Sequence, residues 1–477
     1  MRMIRKSIIL TSLFICATGS LFSQNPWSLE DCIQYAMENN IQIKQTVLNT
    51  EYNENLLKQS RIGQIPNLNA SSNYTYSWGR ALDQTTYQFT EDQRINSLSA
   101  GVSSSVNLFN GFRTRNTILQ NELDLMASYQ EVEKIRNDIS LNIAAAYLSI
   151  LFNKELLAVA RSQLEITGQQ VERTRKMVDA GSLARGSFLE IQAQYAAEEV
   201  NLVNAENQLE ISLLRLQQIL DLPVDSAFDV PVPELPDPGN EEILIDAGEV
   251  YRIAEGAMPE IKSAELNLQS SERGLKIAES GRYPSLRLSA NYNSGYSDIR
   301  QKVVEINEIP NPRIGTTEGG DPVYSSYPQT IPVYGTYPFF EQIRDNLSAG
   351  VGVGLSIPIF NGWQVNTSVA NARISLENAQ LELQSRKNNL YATIQQSYAD
   401  ALAALKKFTA SEKALLSMEE SFKYTEKKFE VGLVNTVDYN ASKNQLTATQ
   451  SDLLQSKYDF IFKIKILNFY KGEPITL

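Results

Sequence analysis

Apolar residues alternate with mostly small, polar residues along four segments of the chain. The segments start near Leu68, Leu98, Leu286 and Leu347, and the fourth keeps the pattern as far as Ile359. A period of two predicts β-strands with one apolar face and one small, polar face. Each segment has about ten residues, the length that crosses a bilayer when a strand is tilted. A water-soluble sheet with one wet face has the same alternation, so this pattern alone leaves both interpretations open.

Two stretches without proline predict unusually long helices. The first runs from Phe112 to about Val178, and a helix of about 66 residues is about 100 Å long. Apolar residues recur every seven positions in both stretches and in a returning helix after each, which predicts coiled-coil packing. The stripes of the two long helices are Ile143, Ile150, Leu157, Leu164, Val171 and Val178, and Ile394, Ala401, Phe408, Leu415, Phe422 and Phe429.

The sequence contains an internal two-fold repeat. Residues 41–66 align without gaps to residues 259–284, and Phe109-Asn110-Gly111 recurs as Phe360-Asn361-Gly362. Each long helix is expected to begin directly at its Phe-Asn-Gly motif, with Asn110 or Asn361 as its N-cap. The predicted segments are a signal peptide at 1–23, a first structural repeat at 24–220, a proline-rich linker at 221–245, and a second structural repeat at 246–477 with an extended external loop at 297–345.

Residues 1–23 have the pattern of a secretion signal. Arg2, Arg5 and Lys6 precede the apolar stretch from Ile8 to Ala17, which is too short to span a bilayer. We find no later run of about 18 apolar residues, so an exported chain of this kind would have to cross a membrane with strands. Four strands cannot close a barrel alone. Two copies of the chain would give eight strands, whose interior is filled by side chains, whereas three would give twelve strands and a lumen.

Composition argues against several classes of function. The chain has 43 Lys and Arg, 55 Asp and Glu, and no histidine, so its net charge is −12. An acidic chain lacks the basic footprint of a nucleic-acid-binding protein. Without histidine, the commonest general base and metal ligand is missing, so we expect no catalytic residues, no cofactor and no metal site. Cys16 lies in the predicted signal, which leaves Cys32 without a partner for an internal disulfide.

Several motifs, in their order along the chain, resemble the TolC-type outer-membrane efflux family over nearly all of the mature sequence. The motifs are Trp27-Ser28-Leu29-Glu30-Asp31-Cys32, Pro66 and Pro284 before the first and third strands, Ile357-Pro358-Ile359-Phe360-Asn361-Gly362, and Gly432-Leu433-Val434-Asn435-Thr436-Val437-Asp438. The sequence departs from the family at Phe112 and Trp363, where a second glycine is frequent, and at Ser187, which aligns with Asp438.

The resemblance implies an α+β membrane protein that forms a homotrimer. Each copy would contribute four strands to a twelve-stranded β-barrel in the outer membrane, in contact with its lipid. The barrel would continue into a long α-helical coiled-coil barrel that crosses the periplasm and ends in a tip that opens and closes. The resemblance further implies a periplasmic adaptor protein and an inner-membrane pump as partners, so the function would be that of the exit duct of a tripartite efflux or secretion system.

The two helix-to-helix turns map to that tip. The residues expected to contact the adaptor are Gly181, Leu183, Gly432, Leu433 and Thr436. Glycine suits a chain reversal because it tolerates a positive φ, although an ordinary helix C-cap has the same requirement. Arg185 and Asp438 are candidate gate partners, although unpaired surface charges would look the same in the sequence.

Two other functions remain open from the residues alone. A soluble periplasmic coiled-coil scaffold with a β-sandwich cap would have the same strand and helix patterns. A carboxylate-dependent hydrolase would need a pair of acidic residues at one site, and no pair stands out in the sequence.

Overall fold

The two halves of the chain contain the same series of helices. The structure, a computed structural model, describes residues 27–82, 89, 91–223, 228–233 and 246–476, so the predicted signal peptide and much of the predicted linker lie outside the described residues. The helices of the first half have 11, 22, 67 and 35 residues, and those of the second half that correspond to them have the same four lengths. Equal lengths in the same order are what a duplicated sequence would give.

The elements of the first half agree closely with the predicted pattern. They are α1 (Leu29–Asn39), α2 (Ile41–Ile62), β1 (Asn67–Gly79), β2 (Gln93–Asn110), α3 (Arg113–Asp179) and α4 (Arg185–Ile219). The second half contains α5 (Ala247–Ala257), α6 (Pro259–Ser280), β3 (Ser285–Ser297), β4 (Gln301–Ile309), β5 (Arg313–Thr316), β6 (Pro322–Tyr324), β7 (Gln329–Thr336), α7 (Phe339–Asp345), β8 (Ser348–Ser356), α8 (Gln364–Glu430) and α9 (Thr436–Tyr470).

The short helix that opens each half starts at a capped residue. At α1, the Asp31 backbone N–H donates to Ser28 Oγ at 3.1 Å, and the Ser28 N–H donates to Asp31 Oδ2 at 3.1 Å. At α5, the Gly248 N–H donates to Asp246 Oδ2 at 3.0 Å. These side chains satisfy N–H groups that have no partner within the helix, so each helix begins at a defined residue.

The chain forms two compact units, and neither coincides with one predicted repeat. Among the described residues, those of the first unit lie within 27–53, 124–268 and 378–476, and those of the second lie within 54–123 and 269–377. Each unit therefore takes residues from both halves of the sequence.

The first unit is helical, and its main core surrounds α1. Leu29, Cys32 and Ala36 of this helix are buried against Tyr147 of α3 and Leu216 of α4. Burial among these side chains raises the pKa of the Cys32 thiol to about 12, and the neighbouring Asp31 and Glu30 carboxylates act in the same direction. Cys32 is thus a core residue whose thiol stays protonated and unreactive at neutral pH.

Among the described helices, α3 is the one whose length and composition would suit a membrane span. An 18-residue window in it has a mean hydropathy of 1.5, and half of this window is buried inside the protein. The most apolar part of α3 includes Ile143, Tyr147 and Ile150, which belong to the main core cluster. Packing in the core therefore accounts for this composition.

The predicted apolar stripe of α3 is buried over only part of its length. Ile143, Ile150 and Leu157 are buried as expected, whereas Leu164, Val171 and Val178 are only half-buried. The buried residues in that part of α3 are instead the polar Gln163, Thr167 and Thr174.

A buried lysine explains why two of these polar residues of α3 are buried. Lys443 of α9 is buried, and its Nζ donates to Thr167 Oγ1 and to the Gln163 carbonyl oxygen. Burial lowers the pKa of Lys443, and the Glu198 carboxylate partly offsets this effect. A buried ammonium group needs polar partners, and these positions of α3 supply them.

The second unit contains one antiparallel sheet with the strand order β1-β2-β3-β8. All four predicted strands are present, and β2 begins five residues before the predicted Leu98. The expected extent of the fourth strand was wrong, because β8 ends at Ser356 and Ile357 and Ile359 lie beyond it. Pro358 explains this difference, since it has no N–H to donate and restricts the residue before it.

The predicted external loop at 297–345 has secondary structure of its own. β4 pairs with β7, β5 pairs with β6, and α7 follows. The buried Gln342 attaches α7 to the end of β3. Its Oε1 accepts from the Ser297 N–H at 3.0 Å, and its Nε2 donates to the Ser297 and Tyr337 carbonyl oxygens at 3.0 and 2.8 Å.

The long helices start two residues later than N-caps at Asn110 and Asn361 would give. Gly111 and Phe112 precede α3 with φ of 64° and 63°, and Gly362 and Trp363 precede α8 with φ of 62° and 70°. Asn110 is therefore not the residue next to the helix, although its Oδ1 accepts from the Thr114 N–H at 3.3 Å. The left-handed backbone at Phe112 and Trp363 explains why glycine would suit these two positions.

The two junction glycines differ in their surroundings, which gives a matched pair of substitutions. A Cβ at Gly111 would lie 2.7 Å from the Ser280 carbonyl oxygen and 2.9 Å from Tyr283 Cβ, whereas a Cβ at Gly362 would meet no atom within 4 Å. Both Gly→Ala variants bear the cost of a left-handed alanine, about 1–2 kcal/mol. We expect Gly111→Ala to lose roughly 1–3 kcal/mol more through overlap, measured as a lower midpoint of thermal unfolding in detergent. Equal midpoints for the two variants would contradict this account.

Candidate functional site

The polar residues of the sheet form one continuous face. Strand register places Asn69, Ser103, Asn291 and Gly350 in a row that crosses all four strands. Two adjacent rows have the same character. They are Ser71, Gly101, Asn293 and Ser348, and Asn67, Ser105, Ser289 and Gly352. The sheet therefore presents a surface of small side chains that hydrogen-bond to water, which we name the polar face.

The opposite face is mostly apolar over the same four strands. One row consists of Ala70, Val102, Tyr292 and Ala349. Much of this face is uncovered in a single chain, since Leu68 is 76% exposed and Val351 is 79% exposed. An exposed apolar surface of this kind requires a covering partner or lipid.

Aromatic residues lie at both ends of the apolar face. Tyr74 and Tyr76 form an edge-to-face pair with ring centroids 5.1 Å apart, and Trp78 follows them at the end of β1. At the other end of the sheet, Phe109 contacts Phe112 in the same geometry at 5.4 Å. Strands with an apolar middle and aromatic ends are typical of membrane barrels, where such rings lie at the two lipid–water interfaces.

Glycines make room for the amide side chains of the polar face. A Cβ on Gly101 would lie 2.1 Å from Asn293 Oδ1, and a Cβ on Gly350 would lie 2.8 Å from Asn291 Oδ1. Each asparagine therefore leans across a glycine of the neighbouring strand. This arrangement keeps the polar face flat and leaves space in front of it.

The two helix-to-helix turns have the same backbone geometry. Gly181 and Gly432 have φ of 75° and 74°. After α3, the Gly181 N–H donates to the Val178 carbonyl oxygen, and the Ser182 N–H donates to the Met177 carbonyl oxygen. The N–H groups of Gly432 and Leu433 make the same two hydrogen bonds at the end of α8. This is the Schellman pattern of helix termination, in which glycine supplies the left-handed residue. A Cβ added at either glycine would have no other atom within 4 Å.

The other predicted tip residues differ in accessibility. Leu433 is 76% exposed, Leu183 is half-buried, and Thr436 is only 1% exposed. Thr436 is the first residue of α9, directly after Asn435, whose Oδ1 accepts from the Asp438 N–H at 2.8 Å. The Thr436 side chain is thus packed inside a single chain and is not on its surface.

The structure does not pair the two charges that the sequence suggested as gate partners. Arg185 begins α4 and Asp438 lies in the first turn of α9, and the salt bridges between described residues do not join them. Arg173 and Glu430 pair nearby instead, with 2.9 Å between Nη1 and Oε1. This ion pair links α3 to α8 across 257 sequence positions. At this separation, the sequence does not indicate which charges will pair.

Comparison with known proteins agrees with this architecture. The model of the outer membrane efflux protein family matches residues 32–221 and 250–461. The outer membrane protein TolC of Escherichia coli K12 is 22% identical over 438 residues, which cover 91% of this chain and 80% of TolC. The alkaline protease secretion protein AprF of Pseudomonas aeruginosa is 21% identical over 446 residues, which cover 93% of this chain and 84% of AprF.

Solved structures share the fold at low sequence identity. The outer membrane protein VceC of Vibrio cholerae has a TM-score of 0.73 at 15% identity, with 94% of this chain and 96% of VceC covered. The CmeC outer membrane channel of Campylobacter jejuni has a TM-score of 0.74 at 14% identity, with 94% and 87% covered. The match to the family model over most of the sequence decides the assignment: this chain belongs to the outer membrane efflux protein family.

Proposed function

We propose that this outer-membrane efflux channel works as a homotrimer and is the exit duct of a tripartite efflux or secretion system. The observation that carries the proposal is the four-stranded sheet with one polar face, one apolar face and two open edges, β1 and β8. In lipid, each unpaired backbone group costs several kcal/mol, roughly the desolvation of an amide. Pairing of β8 with β1 of the next copy would remove both edges.

Three copies suit this sheet better than two. An eight-stranded barrel has an interior just wide enough for side chains to fill it. The polar face consists mainly of Asn, Ser and Gly, which are too small to fill a barrel and are wetted easily. Twelve strands would place this face around a water-filled bore and the apolar face against lipid.

The long helices also carry apolar residues that a single chain leaves uncovered. On α8 these include Ile374, Leu381, Leu416 and Tyr424. We propose that neighbouring copies cover them and that α3, α4, α8 and α9 form the periplasmic part of the duct. A soluble coiled-coil scaffold is disfavoured, since it would leave the apolar face of the sheet in water.

We further propose that the turns at Gly181 and Gly432 form the periplasmic tip, where an adaptor joins the duct to an inner-membrane pump. The exposed Leu433 is the apolar contact, supported by the half-buried Leu183, and the two glycines set the shape of the turns. Thr436 would act by fixing the start of α9 rather than by contact.

The adaptor contact can be tested by photo-cross-linking in cells that contain the complete export system. We expect p-benzoylphenylalanine at position 433 to form a covalent adduct, identified by mass spectrometry as the adaptor. The control position is Lys413, which is exposed on α8 and lies about 25 Å along the helix from its end. An adduct at Lys413 but none at Leu433 would rule out the proposed contact surface.

The gate can be tested with a double-mutant cycle in planar bilayers. If Arg185 and Asp438 pair between neighbouring copies, three exposed pairs together stabilise the closed state by roughly 0.6–3 kcal/mol. We expect Asp438→Asn and Arg185→Gln each to raise the open fraction, and the double variant to raise it no further. Asp179→Asn, which neutralises another exposed acid near the turns, should leave it unchanged. Additive effects of the two substitutions would show that the charges act independently.

A further inference from the structure

We propose that Arg287 places a ring of three positive charges in the bore and makes the barrel select for anionic solutes. This inference rests on the trimeric barrel proposed above. The four strands of the sheet contain two charged residues, Arg94 and Arg287. Arg94 pairs with Trp78, on the apolar face. Arg287 lies between Asn107 and Gly354, on the polar face, which is otherwise uncharged over these strands.

The Arg287 side chain is held against the polar face. Its Nη2 donates to Ser105 Oγ at 2.6 Å. Ser105 in turn donates from its hydroxyl and its backbone N–H to Asn67 Oδ1, at 3.2 and 2.8 Å. This chain of hydrogen bonds across three strands orients the guanidinium in advance, so little rotamer entropy is lost when an anion binds.

The Arg287 charge is not neutralised by an acidic side chain in the described chain. The ion pairs between described residues do not include Arg287. The one hydrogen bond to Ser105 uses a single N–H of the five that a guanidinium carries. The remaining donors match carboxylate, phosphate or sulfate oxygens, which arginine binds in pairs.

The dimensions of a twelve-stranded barrel place each passing ion close to these charges. Strands about 4.8 Å apart and tilted by about 40° give a radius of about 12 Å. The guanidinium group that donates to Ser105 lies against the wall, so it would be about 8–9 Å from the axis, close to a Debye length of about 8 Å. Three unit charges at this distance raise the concentration of a monovalent anion about twofold and lower that of a monovalent cation by the same factor.

The inference can be tested by the ion selectivity of the full-length protein in planar bilayers under a KCl gradient. We expect Arg287→Gln to lower the permeability ratio of chloride to potassium about fourfold, and Arg287→Lys to preserve it. Arg94→Gln removes the same charge from the apolar face and should leave this permeability ratio unchanged. An unchanged ratio in Arg287→Gln, or an equal shift in Arg94→Gln, would overturn the role of Arg287 and leave the channel itself intact.

A blocker supplies a readout that does not depend on assembly of the glutamine variant. Sucrose octasulfate should block the wild-type and Arg287→Lys channels at low salt and be released at high salt, because screening weakens the attraction. Wild-type channels that conduct but are not blocked would also overturn the inference. If the wild-type protein forms no channels at all, the proposed function fails, which is a different outcome from a channel without selectivity.

Discussion

The structure depends on one constraint, which is that every backbone N–H and C=O group in a bilayer must have a partner. The sheet of this chain satisfies it between β1 and β2, β2 and β3, and β3 and β8, and leaves the outer edges of β1 and β8 open. Its apolar face suits lipid and its polar face suits water, so neither medium alone accommodates a single chain. The closure by further copies of the chain that we propose would resolve both problems at once and would create a bore as its consequence.

The junctions between the strands and the long helices contain strained backbone. Phe112 and Trp363 adopt left-handed backbone, where a glycine would be less strained. Both side chains remain more than half exposed, and Phe112 packs edge-to-face on Phe109. We interpret the strain as the consequence of placing an aromatic ring at the end of the proposed membrane-spanning sheet, since such rings favour the interface between lipid and water.

The sequence predicted the regular elements well because their periodicity is strong. The alternation of two located all four strands, and α3 begins and ends within one residue of the predicted stretch. The end of β8 at Ser356 was missed because apolar residues continue the alternation past Pro358. Likewise, the burial of Gln163 and Thr167 could not be predicted, because their partner Lys443 is nearly 280 positions away and lies on another helix.

The candidate site residues were less predictable than the fold. The turn glycines were visible as a repeated motif, whereas the pairing of Arg173 with Glu430 and the row that contains Arg287 depend on packing and register. The most direct test of the account is native mass spectrometry of the protein in mild detergent. We expect the mass of three chains, since twelve strands would close the edges and leave a bore. A mass of one chain would contradict it, because both sheet edges would then remain unpaired.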